Sequence, residues 1–366
     1  MLSPLTTTLT RADYCSPEVF DLERRRLFHR GWLAVALSCT IDRGSRRVFD
    51  IAGESVLVTR DLAGSIHAHA NVCRHRGARL CEVDTDSTQG SLMCPYHAWT
   101  YALDGRLIAT PHLSDDDLDK SELSLWSIAV TEWHGLVFVC LALDPPPFAH
   151  WIEVHGAQAA ALRRFGIADL RVAVTTTAEV AANWKIIVEN YQECLHCTRV
   201  HPELVDRIPL YRTGWVVDRD RTDGGVSLRD GMTGYSDRDA DPLPVLPGLS
   251  DLEATSYFGA TLFPNVFIDV TGNNVVITVL APKSPTSTIS TAYYLFAPET
   301  ITAPGFDPSG VVAFNERLGG QDNLVCEGVQ RGVSSTAFAG GVLTAKDFLV
   351  VAFNDHYRSA MGASAR

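Results

Sequence analysis

The stretch that decides the reading is a pair of loops, Cys73-Arg74-His75-Arg76-Gly77 and Cys94-Pro95-Tyr96-His97-Ala98-Trp99. The pattern is C-x-H, eighteen intervening residues, then C-x2-H. Two thiolates and two imidazoles on loops punctuated by glycine and proline form a metal site, and two kinds of site compete. A structural zinc takes Cys2His2, commonly with each closely spaced pair drawn from one residue type. Here each loop offers one Cys and one His. A Rieske 2Fe–2S cluster binds one iron through two Cys and the other through two His. Two parallel loops that each supply one of each satisfy both irons at once, so the cluster is the better fit.

Outward from the loops the chain has a β texture. Short runs at 32–37, 47–51, 54–59 and 66–70 are separated by Gly/Asp/Ser turns, among them Asp61-Leu62-Ala63-Gly64, which predicts a small antiparallel β domain. Residues 15–30 ahead of it read as a helix, opened by Ser16-Pro17-Glu18 with Pro at the first helical position. After a run at 136–143 the domain closes at the stiff Pro145-Pro146-Pro147. This predicts one domain over 30–147 and a second made of 1–29 and 148–366. The second reads as a helix at 151–164, a β run at 171–180 and loops over 212–250 around a substrate entrance. Strands at 256–270, 274–280 and 287–296 follow, then closing helices at 311–333 and 345–361. The class is α+β.

A second chemical stretch begins at Asn183 and includes Glu193-Cys194-Leu195-His196-Cys197-Thr198-Arg199-Val200-His201-Pro202. It reads as a helix whose end carries Glu193, His196 and His201. Residues three apart share a helix face, so Glu193 and His196 point the same way. Pro202 disfavours the α region for His201, so the helix distorts or stops there and lets both imidazoles turn toward one point. Taken alone, the stretch fits two partly exposed surface histidines equally well.

Composition sets the bounds. The chain has 366 residues, 46% hydrophobic and 20% charged, in the range of ordinary globular proteins. A net charge of −12 and a pI near 5.4 argue against nucleic acid or an anionic membrane as partner. The longest apolar run, 136–143, is far too short to span a bilayer. The opening residues Met1-Leu2-Ser3-Pro4-Leu5-Thr6 lack a basic region followed by an apolar core, so no secretory signal is expected. Nine cysteines are an odd count, and two of them belong to the Cys/His loops. A reduced, cytoplasmic protein that uses thiolates for metal fits better than a disulfide framework.

With both stretches in view, the sequence resembles the Rieske non-haem iron oxygenases, the α-subunits of the ring-hydroxylating type. Asn71-Val72-Cys73-Arg74-His75-Arg76-Gly77-Ala78 and Cys94-Pro95-Tyr96-His97-Ala98-Trp99 match that family's cluster loops, and the Glu193/His196/His201 stretch matches its second metal site. The resemblance implies a helix-grip catalytic domain with an antiparallel sheet. Cys73, His75, Cys94 and His97 would then hold the 2Fe–2S cluster, and His196 and His201 a mononuclear Fe(II). Such iron sites use two His and one carboxylate, leaving positions open for O2 and substrate. Within Gln321-Asp322-Asn323-Leu324-Val325-Cys326-Glu327-Gly328-Val329-Gln330-Arg331-Gly332, Asp322 matches the family's carboxylate. Without the resemblance, Asp322 reads as an acid at a helix start, complementing the dipole. Glu193 matches an acidic residue that bridges to the cluster of a neighbouring subunit. It could equally orient His196 alone. A bridge between subunits implies a closed ring, and the resemblance suggests a homotrimer.

The chain has no G-x-G-x-x-G after a strand and no further Cys cluster, so a separate NAD(P)H-dependent reductase, with or without a ferredoxin, is expected as partner. The 188–204 segment looks most like the branch acting on quaternary ammonium compounds: glycine betaine, choline, carnitine and proline betaine. Glutamate at position 193 agrees with that branch, whereas Leu195 stands where the branch often has an aromatic residue. A trimethylammonium group calls for aromatic faces, and Phe258, Phe263, Phe267, Tyr293 and Tyr294 are the expected cage. The implied reaction is hydroxylation or oxidative N-demethylation. The alternatives are a hydroxylase, dioxygenase or O-demethylase of an aromatic or natural-product substrate, or a Rieske electron carrier. A carrier would end near residues 110–150 and would need neither His196, His201 nor Asp322.

Overall fold

The computed structural model describes residues 6–84, 90–114, 117–154, 156–237 and 243–362. Positions 1–5, part of the leader reading, and 238–242, part of the loop reading, lie outside the described residues. The chain divides into two compact units, Phe28–Trp151 and Met1–Leu27 with Ile152–Arg366. Among the described residues no helix is long and apolar enough to cross a membrane.

The first unit holds two antiparallel sheets. Six strands run in the order Leu33–Leu37, Leu136–Cys140, Ser127–Trp133, Ile66–Ala70, Glu54–Arg60, Arg46–Ile51. All five residues of Leu136–Cys140 are buried, so this strand is covered on both faces and shows no alternation. Arg46–Ile51 and Glu54–Arg60 are joined by Ala52-Gly53, both at positive φ, the two-residue turn whose twist suits a hairpin. The smaller sheet, Ser91–Met93, Thr100–Ala102 and Leu107–Ala109, packs Leu92, Tyr101 and Leu107 with Trp99 into a local core. Cys73 and Cys94 are buried in that same core.

The second unit is built on a six-stranded antiparallel sheet, ordered Arg171–Val180, Ser287–Phe296, Val275–Ser284, Val266–Val270, Ser256–Leu262, Val226–Ser227. The expected single strand over 256–270 is two, because Pro264 has no N–H for the ladder and the chain turns there. The sheet register sets side chains in rows. Asp269 stands opposite Gly259 and Val276, and Val276 opposite Tyr294. In the next row Phe267, Thr278, Ala292 and Thr176 are successive partners. The helix Trp184–Tyr191 and the long helix Ser309–Val333 pack together.

The helix expected at 15–30 is broken: Arg11–Cys15 is followed by Pro17–Glu23, capped by Ser16, whose hydroxyl accepts from the Val19 amide at 3.2 Å. A π-helical turn, Arg24–Phe28, ends the segment. The helix expected at 151–164 is likewise two, Phe148–Glu153 and Gly156–Leu162.

The Trp184–Tyr191 helix is fixed by buried charge. Glu23, fully buried, accepts from the Lys185 ammonium, from Trp184 Nε1 at 3.0 Å and from the Tyr357 hydroxyl at 2.7 Å. Removing one partner of such a buried pair costs roughly 3–5 kcal/mol, because the other charge is left without compensation. This anchor holds the start of the helix whose far end leads into Glu193.

Candidate metal centres

The two Cys/His loops share one backbone frame. The Cys73 amide donates to Ala78 O at 2.8 Å and the Gly77 amide to Cys73 O at 3.1 Å. The Cys94 amide donates to Trp99 O at 2.8 Å and the Ala98 amide to Cys94 O at 3.1 Å. The fifth residue of each frame lies in the left-handed region, Gly77 at φ 73° and Ala98 at φ 55°. Both sulfurs point down into the core, while His75 is exposed and His97 partly so. The two Nδ1 atoms face each other at 3.1 Å.

The His75 ring stacks on Trp99 with centroids 4.8 Å apart and planes 7° from parallel. The Tyr101 hydroxyl lies 3.3 Å from Cys73 Sγ and accepts from the Arg74 amide at 3.1 Å. Burial pushes the Cys73 thiol up, so a bound cation is needed to favour its thiolate. Desolvation, His75 and the Arg76 charge together hold His97 below the usual imidazole range. Two sulfurs beneath two imidazole Nδ1 atoms suit a cluster with one iron on the core side and one at the surface.

The second stretch departs from the expected helix. The helix stops at Tyr191, and Glu193 and Cys194 belong to no helix or strand. His196 immediately precedes a short helix, Cys197–Val200, and His201 immediately precedes Pro202–Arg207; neither side chain bonds the helix end. The break precedes Pro202 because side-chain bonds compete with the helix ladder. One Glu193 oxygen accepts from the Leu195 amide, and the other lies 2.5 Å from His196 Nδ1. Glu193 and His196 therefore meet through a turn, not along a helix face. Cys194 and Cys197 are bonded to each other across that turn, which differs from the expected free thiols; seven other cysteines are free.

With Nδ1 of His196 engaged by Glu193, and Nδ1 of His201 by Gln321 Oε1 at 2.6 Å, both rings present Nε2 to one point. Asp322 Oδ1 lies there, 2.8 Å from His201 Nε2 and 3.4 Å from His196 Nε2. Ligand atoms of the three residues all lie within 4.8 Å of one another. Asp322 is mid-way along Ser309–Val333, so the helix-start reading does not hold.

Burial alone would raise the Asp322 carboxyl and lower both imidazoles. Their mutual hydrogen bonds reverse this, holding Asp322 down, lifting His201, and with Glu193 lifting His196 to about 9. Two nitrogens and one carboxylate oxygen on one side of a point are the donor set of a facial triad.

The triad opens on a cavity of about 410 Å³ in the same unit. Its wall carries Tyr191, Tyr211, Tyr235, Tyr257, Phe267 and Tyr294. Tyr191 stacks on Phe267 with centroids 4.1 Å apart. Asp269 lines the same wall, and its Oδ1 accepts from the Tyr191 hydroxyl at 2.8 Å and the Tyr257 hydroxyl at 2.6 Å. Burial pushes the Asp269 carboxyl up, against the pull of the two hydroxyls.

Of the expected cage, Phe267 and Tyr294 line the cavity. Phe258 packs on Phe165 and under Arg164, and Phe263 on Trp184, Phe353 and His356. Neither they nor Tyr293 are among the lining residues. Four tyrosines and Asp269 were missed by the sequence reading. The available signal was the period of two along 256–270, which puts Tyr257, Phe267 and Asp269 on one face once the turn at Pro264 is placed.

Two family models match the chain: the Rieske [2Fe-2S] domain over residues 31–129 and the ring hydroxylating alpha subunit (catalytic domain) over 167–363. The chain is 29% identical to the glycine betaine monooxygenase oxygenase subunit of Chromohalobacter salexigens, covering 97% of this chain and 86% of that protein. It is 28% identical to the carnitine monooxygenase oxygenase subunit of Acinetobacter pittii, covering 91% and 87%. The quaternary ammonium Rieske monooxygenase CntA has a similar fold, with a TM-score of 0.78 over 98% of this chain and 96% of that one, at 23% identity.

Proposed function

The chain belongs to the ring-hydroxylating α-subunit family of Rieske non-haem iron oxygenases, and from that premise we propose that it hydroxylates or oxidatively N-demethylates a small quaternary ammonium compound, using O2 and two electrons. In this reading Cys73 and Cys94 hold one iron of the 2Fe–2S cluster, and His75 and His97 the other. His196, His201 and Asp322 hold the mononuclear iron. The observation that carries the reading is the triad of ligand atoms within 4.8 Å, opening on an aromatic-walled cavity. When bound, the mononuclear iron supplies O2 activation and the cluster supplies electrons.

The chain's own residues set the geometry. Gln321 and Glu193 fix the ring orientations of His201 and His196, so both present Nε2 on the same side as Asp322. The remaining positions face the cavity, where tyrosine and phenylalanine rings exclude water and offer their faces to a cation that has no N–H to donate. Glu193 is assigned a second role, accepting from His196 and from His97 of a neighbouring copy in a ring-shaped trimer. Its second oxygen already accepts from the Leu195 amide, but a carboxylate oxygen has a further lone pair for the bridge. The electrons come from a separate NAD(P)H-dependent reductase, directly or through a ferredoxin. Such a partner fits a cytoplasmic setting.

The test is O2 uptake by the purified, iron-loaded protein with a surrogate reductase, across a panel of trimethylammonium compounds and arenes. Uptake coupled to an oxidised or demethylated ammonium product is the expected result. Coupled uptake with arenes alone would overturn the substrate reading and leave the iron chemistry standing.

A further inference from the structure

The cavity wall is acidic in a way that the iron site does not require. Four carboxylates line it, Glu193, Asp269, Glu316 and Asp322, and the described lining residues include no Lys or Arg. Two of the four are not part of the triad or its partners. Asp269 is held by the hydroxyls of Tyr191 and Tyr257. Glu316, exposed, is held by the Thr176 hydroxyl at 2.7 Å and the Tyr294 hydroxyl at 3.0 Å. The neighbouring Arg317 does not neutralise this wall. It pairs with Asp237 at 2.6 and 2.7 Å and with Glu203 at 3.1 Å.

Resting on the quaternary ammonium reading, we infer that this cavity selects a cation that carries no carboxylate, with Asp269 as the principal counter-charge and Glu316 as the second. A quaternary nitrogen cannot donate a hydrogen bond, so it is recognised by negative charge and by ring faces, and the wall supplies both. A substrate carboxylate meets the opposite situation. It needs a compensating positive charge, and no lysine or arginine is among the described lining residues to supply one. A hydroxyl has one proton to donate, and those of Tyr191, Tyr257, Tyr294 and Thr176 are committed to the wall's own acids, which leaves neutral donors such as Tyr235, Thr278 and Ser290 along the lining. A carboxylate would also be repelled by Asp269.

The fold supports the Asp269 arrangement specifically. Gly259 stands opposite Asp269, and a Cβ there would come within 2.7 Å of the Tyr257 hydroxyl. The missing side chain is what lets Tyr257 reach across to the acid.

The experiment is calorimetric binding to the iron-loaded protein of four probes: choline, glycine betaine, L-carnitine and the neutral isostere 3,3-dimethylbutan-1-ol. Choline is expected to bind at least about tenfold more tightly than each of the other three. Asp269→Asn keeps the shape and removes the charge. It should weaken choline about tenfold and leave the neutral alcohol unchanged. Glu316→Gln, at an exposed position that should not disturb folding, should weaken choline by a smaller factor.

Glycine betaine or carnitine binding the unaltered protein as tightly as choline would overturn the inference while leaving the ammonium reading intact. So would an Asp269→Asn protein that loses iron and weakens the alcohol as much as choline, since the acid would then serve the metal. Binding of no trimethylammonium probe at all would overturn the ammonium reading, and this inference with it.

Discussion

The two histidine pairs of this molecule occupy opposite surroundings. His75 and His97 stand at the surface of a small β unit, Nδ1 to Nδ1, with Arg76 nearby and His97 held below the usual imidazole range. His196 and His201 are set among Glu193, Gln321 and Asp322, and both are lifted above that range. The first pair is shaped by the backbone of its loops and by the sulfurs beneath it. The second is shaped by side chains that fix its tautomers and supply its charge. A group that passes electrons outward needs a rigid, exposed edge, and a group that binds O2 beside a substrate needs open positions in a sheltered cavity.

The largest test of that comparison removes one ligand at a time. Cys73→Ser should abolish the cluster's visible spectrum and acid-labile sulfide yet retain one iron per chain, because thiolate ligation is lost only in the first unit. His201→Ala should do the reverse, with an intact cluster spectrum, no mononuclear iron and no product. Both variants would read out by iron and sulfide analysis beside the spectrum. Bleaching of the cluster in His201→Ala would break the comparison, since the sites would not be independent.

The sequence shows these two regions with unequal clarity, for a physical reason. The cluster loops are local: each Cys and its His fall within four residues, so ligation chemistry is written into spacing. The triad is half local. His196 and His201 are close in sequence, but Asp322 lies 121 residues beyond His201, and a motif resemblance was needed to find it. The cavity wall was least legible, because facing is set by pleat and register. Tyr257 lines the cavity and its neighbour Phe258 turns away, as do Tyr294 and Tyr293 respectively, and the reading chose Phe258 and Tyr293 along with the correct Tyr294. The early helix stop at Tyr191 was also hidden. It depends on Glu193 bonding the turn behind it, which no propensity at 183–200 signals.

Glu193→Ala probes the residue assigned to link the two regions. Glu193 is a proposed ligand to neither metal, so both centres and reduction of the cluster by a reductase should survive. Product-coupled reoxidation of the reduced cluster should fall by about 100-fold, at the upper end for loss of a group hydrogen-bonded to a ligand. Rapid, coupled reoxidation in stopped-flow mixing with substrate and O2 would remove the bridging role. A selective loss of mononuclear iron would instead assign Glu193 to orienting His196.

A smaller effect is expected at Gln321, which holds only one tautomer. Gln321→Ala should weaken mononuclear iron binding about tenfold, measured by anaerobic competition with a chelator. The same measurement carries a pH signature. His196 is lifted to about 9, so below that pH the metal-free imidazole holds a proton that iron must displace. Affinity should therefore rise from pH 6 toward pH 9 and then level. His97 is shifted the other way, below the usual imidazole range, by desolvation and by His75 and Arg76, so no matching rise is expected from it. A flat profile for the mononuclear iron would show that the carboxylates do not set the basicity of His196.

The smallest effect compares the cluster loops with each other. Gly77 and Ala98 occupy the same fifth position of the same frame, both at positive φ, yet only one is glycine. A left-handed conformation costs an L-residue about 1–2 kcal/mol. Exchanging Gly for Ala returns about 0.4–1 kcal/mol by restricting the unfolded chain. Nothing lies within 4 Å of a Cβ built at Gly77, so no clash adds to the strain. Gly77→Ala should therefore destabilise the first unit by roughly 0.5–1 kcal/mol, and Ala98→Gly should stabilise it by a similar amount. Denaturant unfolding followed at the cluster's absorbance would measure both, and the folded spectra should be unchanged. Loss of the cluster in Gly77→Ala, with Ala98→Gly silent, would mean the bound cluster approaches the first loop more closely than the second. The shared frame would then describe the backbone alone, and the two loops would hold their ligands by different means.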